Sequence, residues 1–233
     1  MTDPLHEATQ SAEASTLRSI ADEVERRGVT SLGILGGTFD PIHFGHLACA
    51  QFAMDASGID LVLFMPAAVP TFKQDKQIAP ATDRLAMTEL ATFDNERFLT
   101  SSLELDRSGI TYTIDTVHAL RSSLPDEVDI SFIIGTDAIL LLDGWKDIRA
   151  LGRLVRFVCV SRPGYVLDDP TRARFEEIGI DVHLVAAPLL DISSTEIRTR
   201  VGEGRTVRYL TPLSVCDYIA SHGLYSPSKR KEV

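Results

Sequence analysis

The chain has 233 residues, 44% hydrophobic and 24% charged, and its 33 Asp and Glu outweigh 23 Lys and Arg to give a formal net charge of −10. That length suits one large α/β domain with a filled core, and no apolar run approaches the roughly 20 residues that span a bilayer. An acidic balance disfavours nucleic-acid or anionic-membrane partners, which need a basic footprint, so any anionic ligand has to be held by local groups.

The first segment, MTDPLHEATQSAEAST, is polar and acidic with no apolar h-region. It does not read as a secretory leader, and a cytoplasmic location is expected. Residues 1–10 are expected to be disordered, and Leu17, Ile20, Ala21 and Val24 at helical spacing predict a short amphipathic helix within an N-terminal extension, 1–30. Apolar runs of strand length then recur at 31–35, 60–66, 98–105, 129–135, 154–161 and 181–187. Several are apolar throughout, as strands buried on both faces are. Helix-length segments separate them: GHLACAQFAMDAS, TDRLAMTELATF, YTIDTVHALRSSL and SSTEIRTRVGEG. Strand alternating with helix predicts an α/β fold, a Rossmann-like, doubly wound, mostly parallel sheet with helices on both faces. Ligands of such sheets bind at the carboxyl ends of the strands, so the loops after strands are where chemistry is expected. The basic tail, 226–233, is expected to fray. Cys49, Cys159 and Cys216 are far apart and form no CxxC pair, which disfavours a disulfide framework and a structural zinc site.

The stretch GGTFDPIHFGHL, Gly36 to Leu47, follows the first strand and runs into the first helix of the main domain. Gly36 and Gly37 permit a tight turn, and N–H groups of the loop and helix start can face a phosphate. It is neither a Walker motif nor GxGxxG. His43 and His46, three apart near the helix start, can share one face. A zinc site would need a third ligand, and the positive end of a helix favours anions. Donation to phosphoryl oxygens also explains the glycines, with a packing or capping role as the alternative. A second stretch, ISSTEIR at 192–198, reads S-x-x-E from Ser193 to Glu196, a capping box. It is either only a cap or a second anion site, with hydroxyls at Ser193, Ser194 and Thr195 and Arg198 one turn in.

Together these two stretches resemble the HxGH nucleotidyltransferases, and among them the bacterial nicotinate-nucleotide adenylyltransferases. The resemblance continues through PAAVPTFK, TYTIDT, GTDAILLLDGW, VSRPGY and YLTPLSVCDYIASHGLY, and so covers nearly all of 31–225 as one nucleotidyltransferase domain. It implies transfer of the adenylyl group of ATP to nicotinate mononucleotide, by direct attack of the mononucleotide phosphate on the α-phosphorus. Mg²⁺ would be carried on the substrate phosphates, with no metal site in the protein. The resemblance also implies roles. His43, His46, Lys73 and Arg198 would stabilise the phosphoryl groups, while Gly36, Gly37, Thr38, Phe39, Ser193 and Ser194 would hold ATP. Tyr112, Thr113, Asp137, Trp145 and Arg162 would receive the nicotinate nucleotide, with Asp137 toward a ribose hydroxyl. Asp40 is left between fixing its loop and a functional role. Three departures stand out: Phe72 replaces a histidine before Lys73, GTDAI replaces the commoner GAD pattern, and TYT replaces SYT. Residues 1–30 have no counterpart. The partners implied are small molecules rather than nucleic acid or membrane, with a homo-oligomer left open.

Overall fold

The computed structural model describes residues 4–68, 78–107, 111–161, 164–188 and 190–226. Six strands form one sheet: β1 (Ser31–Gly37), β2 (Leu61–Pro66), β3 (Phe98–Thr100), β4 (Asp129–Gly135), β5 (Arg156–Ser161) and β6 (Val182–Ala186). Their order is β3-β2-β1-β4-β5-β6 and every pairing is parallel. The order reverses between β1 and β4, which opens a crevice at the carboxyl ends of those two strands.

The strands are buried on both faces, and their side chains divide between two cores with a period of two. Leu61, Leu63 and Met65 of β2 join Ile130, Phe132 and Ile134 of β4 and Phe157 and Cys159 of β5 on one face. Val62 and Phe64, Ile133, and Val158 and Val160 from the same three strands fill the other. Helices α1 (Pro4–Arg27), α4 (Thr113–Ser123) and α6 (Ile148–Leu154) cover the first face, whereas α2 (Phe44–Ser57), α3 (Ala81–Thr92) and α9 (Leu213–Ser221) cover the second. α5 (Thr136–Ile139), α7 (Asp169–Ile178), α8 (Ser194–Gly202) and a 3₁₀ turn at Leu142–Gly144 complete the described elements.

Two expectations are corrected. Residues 4–10, expected to be disordered, are the first turns of α1, which runs for 24 residues. Proline suits the first turn of a helix and Glu, Ala and Gln propagate it, while docking comes from Ile20 and Val24, both buried. The third strand was expected over 98–105 but ends at Thr100. Beyond it the hydrogen bonds become local. Ser101 Oγ accepts from the Leu103 N–H, and the Ser102 carbonyl accepts from the Leu105 and Asp106 N–H groups. Short polar side chains thus offer the backbone an alternative to the ladder. The frayed-tail expectation falls on 227–233, outside the described residues.

Candidate active site

The loop after β1 is held in an unusual shape by its own side chains. Phe39 is buried and adopts φ 48°, in the left-handed region that bulky residues avoid. A Cβ at Gly37 would lie 2.8 Å from the Phe39 ring, so only glycine fits beneath it. That ring stands edge-on to His46 at 5.0 Å and packs on Phe64 at 6.0 Å. Phe39 is thereby a floor under His46 and is not on the cavity wall.

His43 is the N-cap of α2 and His46 is its third residue. The rings stack with centroids 3.7 Å apart. The His43 N–H donates to His46 Nδ1 at 3.2 Å. A neutral imidazole that accepts at Nδ1 carries its proton on Nε2, which makes His46 a fixed-tautomer donor through Nε2. His43 is 5% exposed, its Nδ1 has no hydrogen-bond partner, and burial pushes its pKa down from 6.5 to about 4. Gly45 separates the two because a Cβ there would sit 3.0 Å from the His43 ring.

The second motif meets the first. Ser194 Oγ donates to the Pro41 carbonyl at 2.9 Å, and Arg198 Nη1 donates to the Asp40 carbonyl at 2.6 Å. Ser193 caps α8, its Oγ accepting from the Glu196 N–H at 3.1 Å. Asp40, left open by sequence, is a loop anchor. Its buried carboxylate accepts from Tyr225 Oη at 2.7 Å and from the Ala79 N–H at 3.2 Å, with Arg198 Nη1 3.5 Å away. Burial and that bond to Asp40 hold the Tyr225 phenol well above its ordinary pKa. The 208–211 segment clasps the same loop through Thr211 Oγ1 on the Ile42 carbonyl, at 2.7 Å.

A cavity of about 560 Å³ opens at the reversal of strand order. From the β1–α2 side it is lined by Gly36, Gly37, Thr38, His43 and His46, and from the α4, β4 and α5 side by Thr113, Asp137 and Trp145. Trp145 makes T-shaped contacts with Phe132 at 5.5 Å and Phe157 at 6.3 Å, which fix its ring where it lines the cavity. Other expected residues are near but not on this wall. Tyr112, 38% exposed, lies under the Lys146 ammonium at 4.3 Å, Ser194 and Arg198 brace the loop through the Pro41 and Asp40 carbonyls, and Ser193 is spent on the cap of α8. Lys73, Phe72 and Arg162 lie outside the described residues.

Two residues were not foreseen. Arg84 of α3 is 2% exposed and donates to four carbonyls: Thr38 at 2.9 Å, Ala67 at 2.8 Å, Ala68 at 3.2 Å and Ala79 at 3.2 Å. It ties the β1–α2 loop, through Thr38, to Ala67 and Ala68 and to Ala79. Its signal was present in sequence, as Arg84 heads the i, i+3, i+4, i+7 buried stripe of Met87, Thr88 and Ala91. Glu104 lines the cavity, accepts from Thr116 Oγ1 at 3.2 Å and Thr111 Oγ1 at 3.5 Å, and has its pKa raised by burial.

A parallel sheet of this order with a histidine-bearing loop at its reversal defines a nucleotide-handling α/β protein, and the cytidylyltransferase-like family model matches residues 34–200. A probable nicotinate-nucleotide adenylyltransferase of Corynebacterium kroppenstedtii is 43% identical, over 84% of this chain and 92% of the relative. One from Moorella thermoacetica is 42% identical over the same shares. The chain belongs to the nicotinate-nucleotide adenylyltransferase family within the cytidylyltransferase-like proteins. Plasmodium falciparum nicotinic acid mononucleotide adenylyltransferase, solved with APC and with NaAD, shares the fold at a TM-score of 0.68, with 19% and 20% identity and coverage of 84% of this chain and 97% of each solved chain.

Proposed function

We propose that this chain joins ATP and nicotinate mononucleotide, giving nicotinate adenine dinucleotide and pyrophosphate, in the cavity between β1 and β4. The observation that carries the reading is convergence. The glycine and histidine loop, suited to phosphates, and the Trp145–Thr113 wall, suited to a ring bearing an anion, border one cavity.

In the reaction a phosphate oxygen of the mononucleotide attacks the α-phosphorus of ATP. That P–O bond forms as the bond from the α-phosphorus to the β-phosphate bridging oxygen breaks, and pyrophosphate leaves with the electron pair. A phosphate monoester is already anionic near neutral pH, so alignment and charge stabilisation matter more than a general base. A histidine with a pKa of about 4 is a poor base but a good neutral donor. His43 and His46 are accordingly assigned to the phosphoryl oxygens, and Gly36, Gly37, Thr38 and Phe39 to backbone contacts with ATP. Lys73 would add positive charge. Ser194 and Arg198 hold the loop by its Pro41 and Asp40 carbonyls, and Ser193 caps the helix that carries them.

At the other end the first turn of α4 offers its N–H groups to the nicotinate carboxylate, beside Thr113. Trp145 packs on the pyridine ring, Asp137 meets a ribose hydroxyl, and Tyr112 flanks the nucleotide, with Arg162 assigned to the same ligand by the family resemblance alone. Among the described residues no group of three or more His, Cys, Asp or Glu could hold a metal, and Asp40 is engaged by Tyr225, Ala79 and Arg198. Mg²⁺ belongs in this reading to the ATP complex, where it neutralises phosphate charge. No helix among the described residues is long and apolar enough to cross a membrane. The test is incubation with ATP labelled at the α-phosphate and nicotinate mononucleotide. Label in the dinucleotide with one pyrophosphate per turnover is expected, whereas label in AMP alone or on the protein would refute direct transfer.

A further inference from the structure

Helix α1 lies outside the residues 34–200 that match the family model, yet it is wired to the cavity wall. Its apolar stripe docks beside α4, with Ile20 and Val24 in the core that contains Ile114, Val117 and Leu120. Its polar side reaches the turn after β3. Glu13 Oε1 accepts from Arg107 Nε at 2.7 Å and Nη2 at 2.6 Å, and Thr16 Oγ1 donates to Asp106 Oδ2 at 2.6 Å. The Glu13–Arg107 pair is mostly shielded, with the side chains 26% and 14% exposed. Arg107 Nη1 then donates to Thr116 Oγ1 at 2.8 Å, and that hydroxyl donates to Glu104 Oε1 at 3.2 Å. Glu104 and Thr113 both border the cavity.

We propose that α1 is a working part of the mononucleotide half of the site, with Glu13 acting through Arg107 and Thr116 to position Glu104 and the first turn of α4. The physical reason lies in Arg107, whose guanidinium fork can be aimed at Thr116 only while its other edge is occupied. Without Glu13 the fork is free to turn toward Glu104 itself, the hydroxyl of Thr116 loses its donor, and both Glu104 and the α4 start shift against the ligand. Burial already pushes the Glu104 carboxyl up, with the Thr116 bond and Arg107 opposing it, so its charge depends on this same relay. The inference rests on the mononucleotide being bound beside Thr113.

The test uses the full chain and measures KM for nicotinate mononucleotide and for ATP separately. Glu13→Gln should raise KM for the mononucleotide by about 5- to 10-fold, as expected of a displaced positioning group, with KM for ATP within about twofold of the parent. Arg18→Gln, on the exposed side of the same helix, should change neither. A double-mutant cycle of Glu13→Gln with Glu104→Gln reads the relay directly: the double variant should be no worse for the mononucleotide than Glu104→Gln alone. Additive effects, equal changes in both KM values, or a lowered melting temperature with both KM values unchanged would overturn it. An active parent with an unaffected Glu13→Gln variant sinks the relay alone, whereas an inactive parent sinks the assigned reaction and the relay together.

Discussion

His46→Ala separates the catalytic from the structural content of the histidine pair. In the folded protein the substitution removes the acceptor of the 3.2 Å bond from the His43 N–H, the stack on His43 and the edge contact with Phe39. The bond contributes about 0.5–1.5 kcal/mol and the ring contacts a similar amount, offset by about 0.5 kcal/mol because Ala is the better helix former. A net loss of about 1–2 kcal/mol follows, which lowers the melting temperature of a chain this size by roughly 2–8 °C. Removal of a preorganised donor to the transferring phosphoryl group costs far more, about 10²- to 10³-fold in kcat. His46→Gln, whose amide N–H₂ can reach toward the place of Nε2, should recover part of that loss. The assay is pyrophosphate release at saturating substrates, run beside a thermal melt. A folded His46→Ala protein with kcat within about threefold of the parent would refute the donor role, since a single misplaced donor already costs more.

Arg84→Met leaves the Thr38, Ala67, Ala68 and Ala79 carbonyls without their donor. Loss of about 3–5 kcal/mol is expected in urea denaturation, since unsatisfied buried groups are costly, and Arg84→Lys should lose less. Because Thr38 is on the cavity wall, KM for ATP should rise more than KM for the mononucleotide in Arg84→Lys; an unchanged KM for ATP would argue against the hub. Acid should destabilise the protein through His43. Its folded pKa of about 4 lies below the ordinary 6.5, so below pH 6.5 the unfolded chain takes up a proton that the native chain refuses. Stability therefore falls as pH drops from 6.5 toward 4, by up to about 3 kcal/mol. Urea midpoints at pH 7.5, 6 and 5 should show this slope in the parent and a shallower one in His43→Gln; parallel slopes would contradict it.

The sheet was readable because its strands are apolar runs with no competing pattern: β2, LVLFMP, is buried at every residue. β3 was overread because Ser101 Oγ and the Ser102 carbonyl take the following N–H groups locally, in a turn held by the Asp106 carboxylate, which accepts from Ser102 Oγ and from Thr16 Oγ1 of α1. α7 was overlooked although Asp168 caps it, Pro170 lies in its first turn and Gly179 closes it at φ 75°. Those signals carry little weight without an apolar stripe, and among its buried residues only Phe175 appears. The histidine loop was legible from glycine and histidine spacing, and its encounter with ISSTEIR is seen in the Ser194–Pro41 and Arg198–Asp40 bonds. What the sequence could not disclose is which groups border the cavity and which hold the loop. Spacing places Arg198 and Ser194 near an anion, but only the fold turns their donors onto backbone carbonyls. Arg84 could have been found from its place on the buried stripe of α3, whereas nothing in the spacing around Glu104 marks it, since its partners Thr111 and Thr116 come from α4 and the residues leading into it.

The most direct test of the whole account compares kcat/KM for nicotinate mononucleotide and for its amide counterpart, with ATP and Mg²⁺ saturating and pyrophosphate as the readout. N–H donors of the α4 start beside Thr113 favour a carboxylate, and an amide would turn its own N–H₂ against them. A preference for the acid of about 10²-fold or more is expected, as when a donor in the site is left unpaired. Equal values for acid and amide would contradict it.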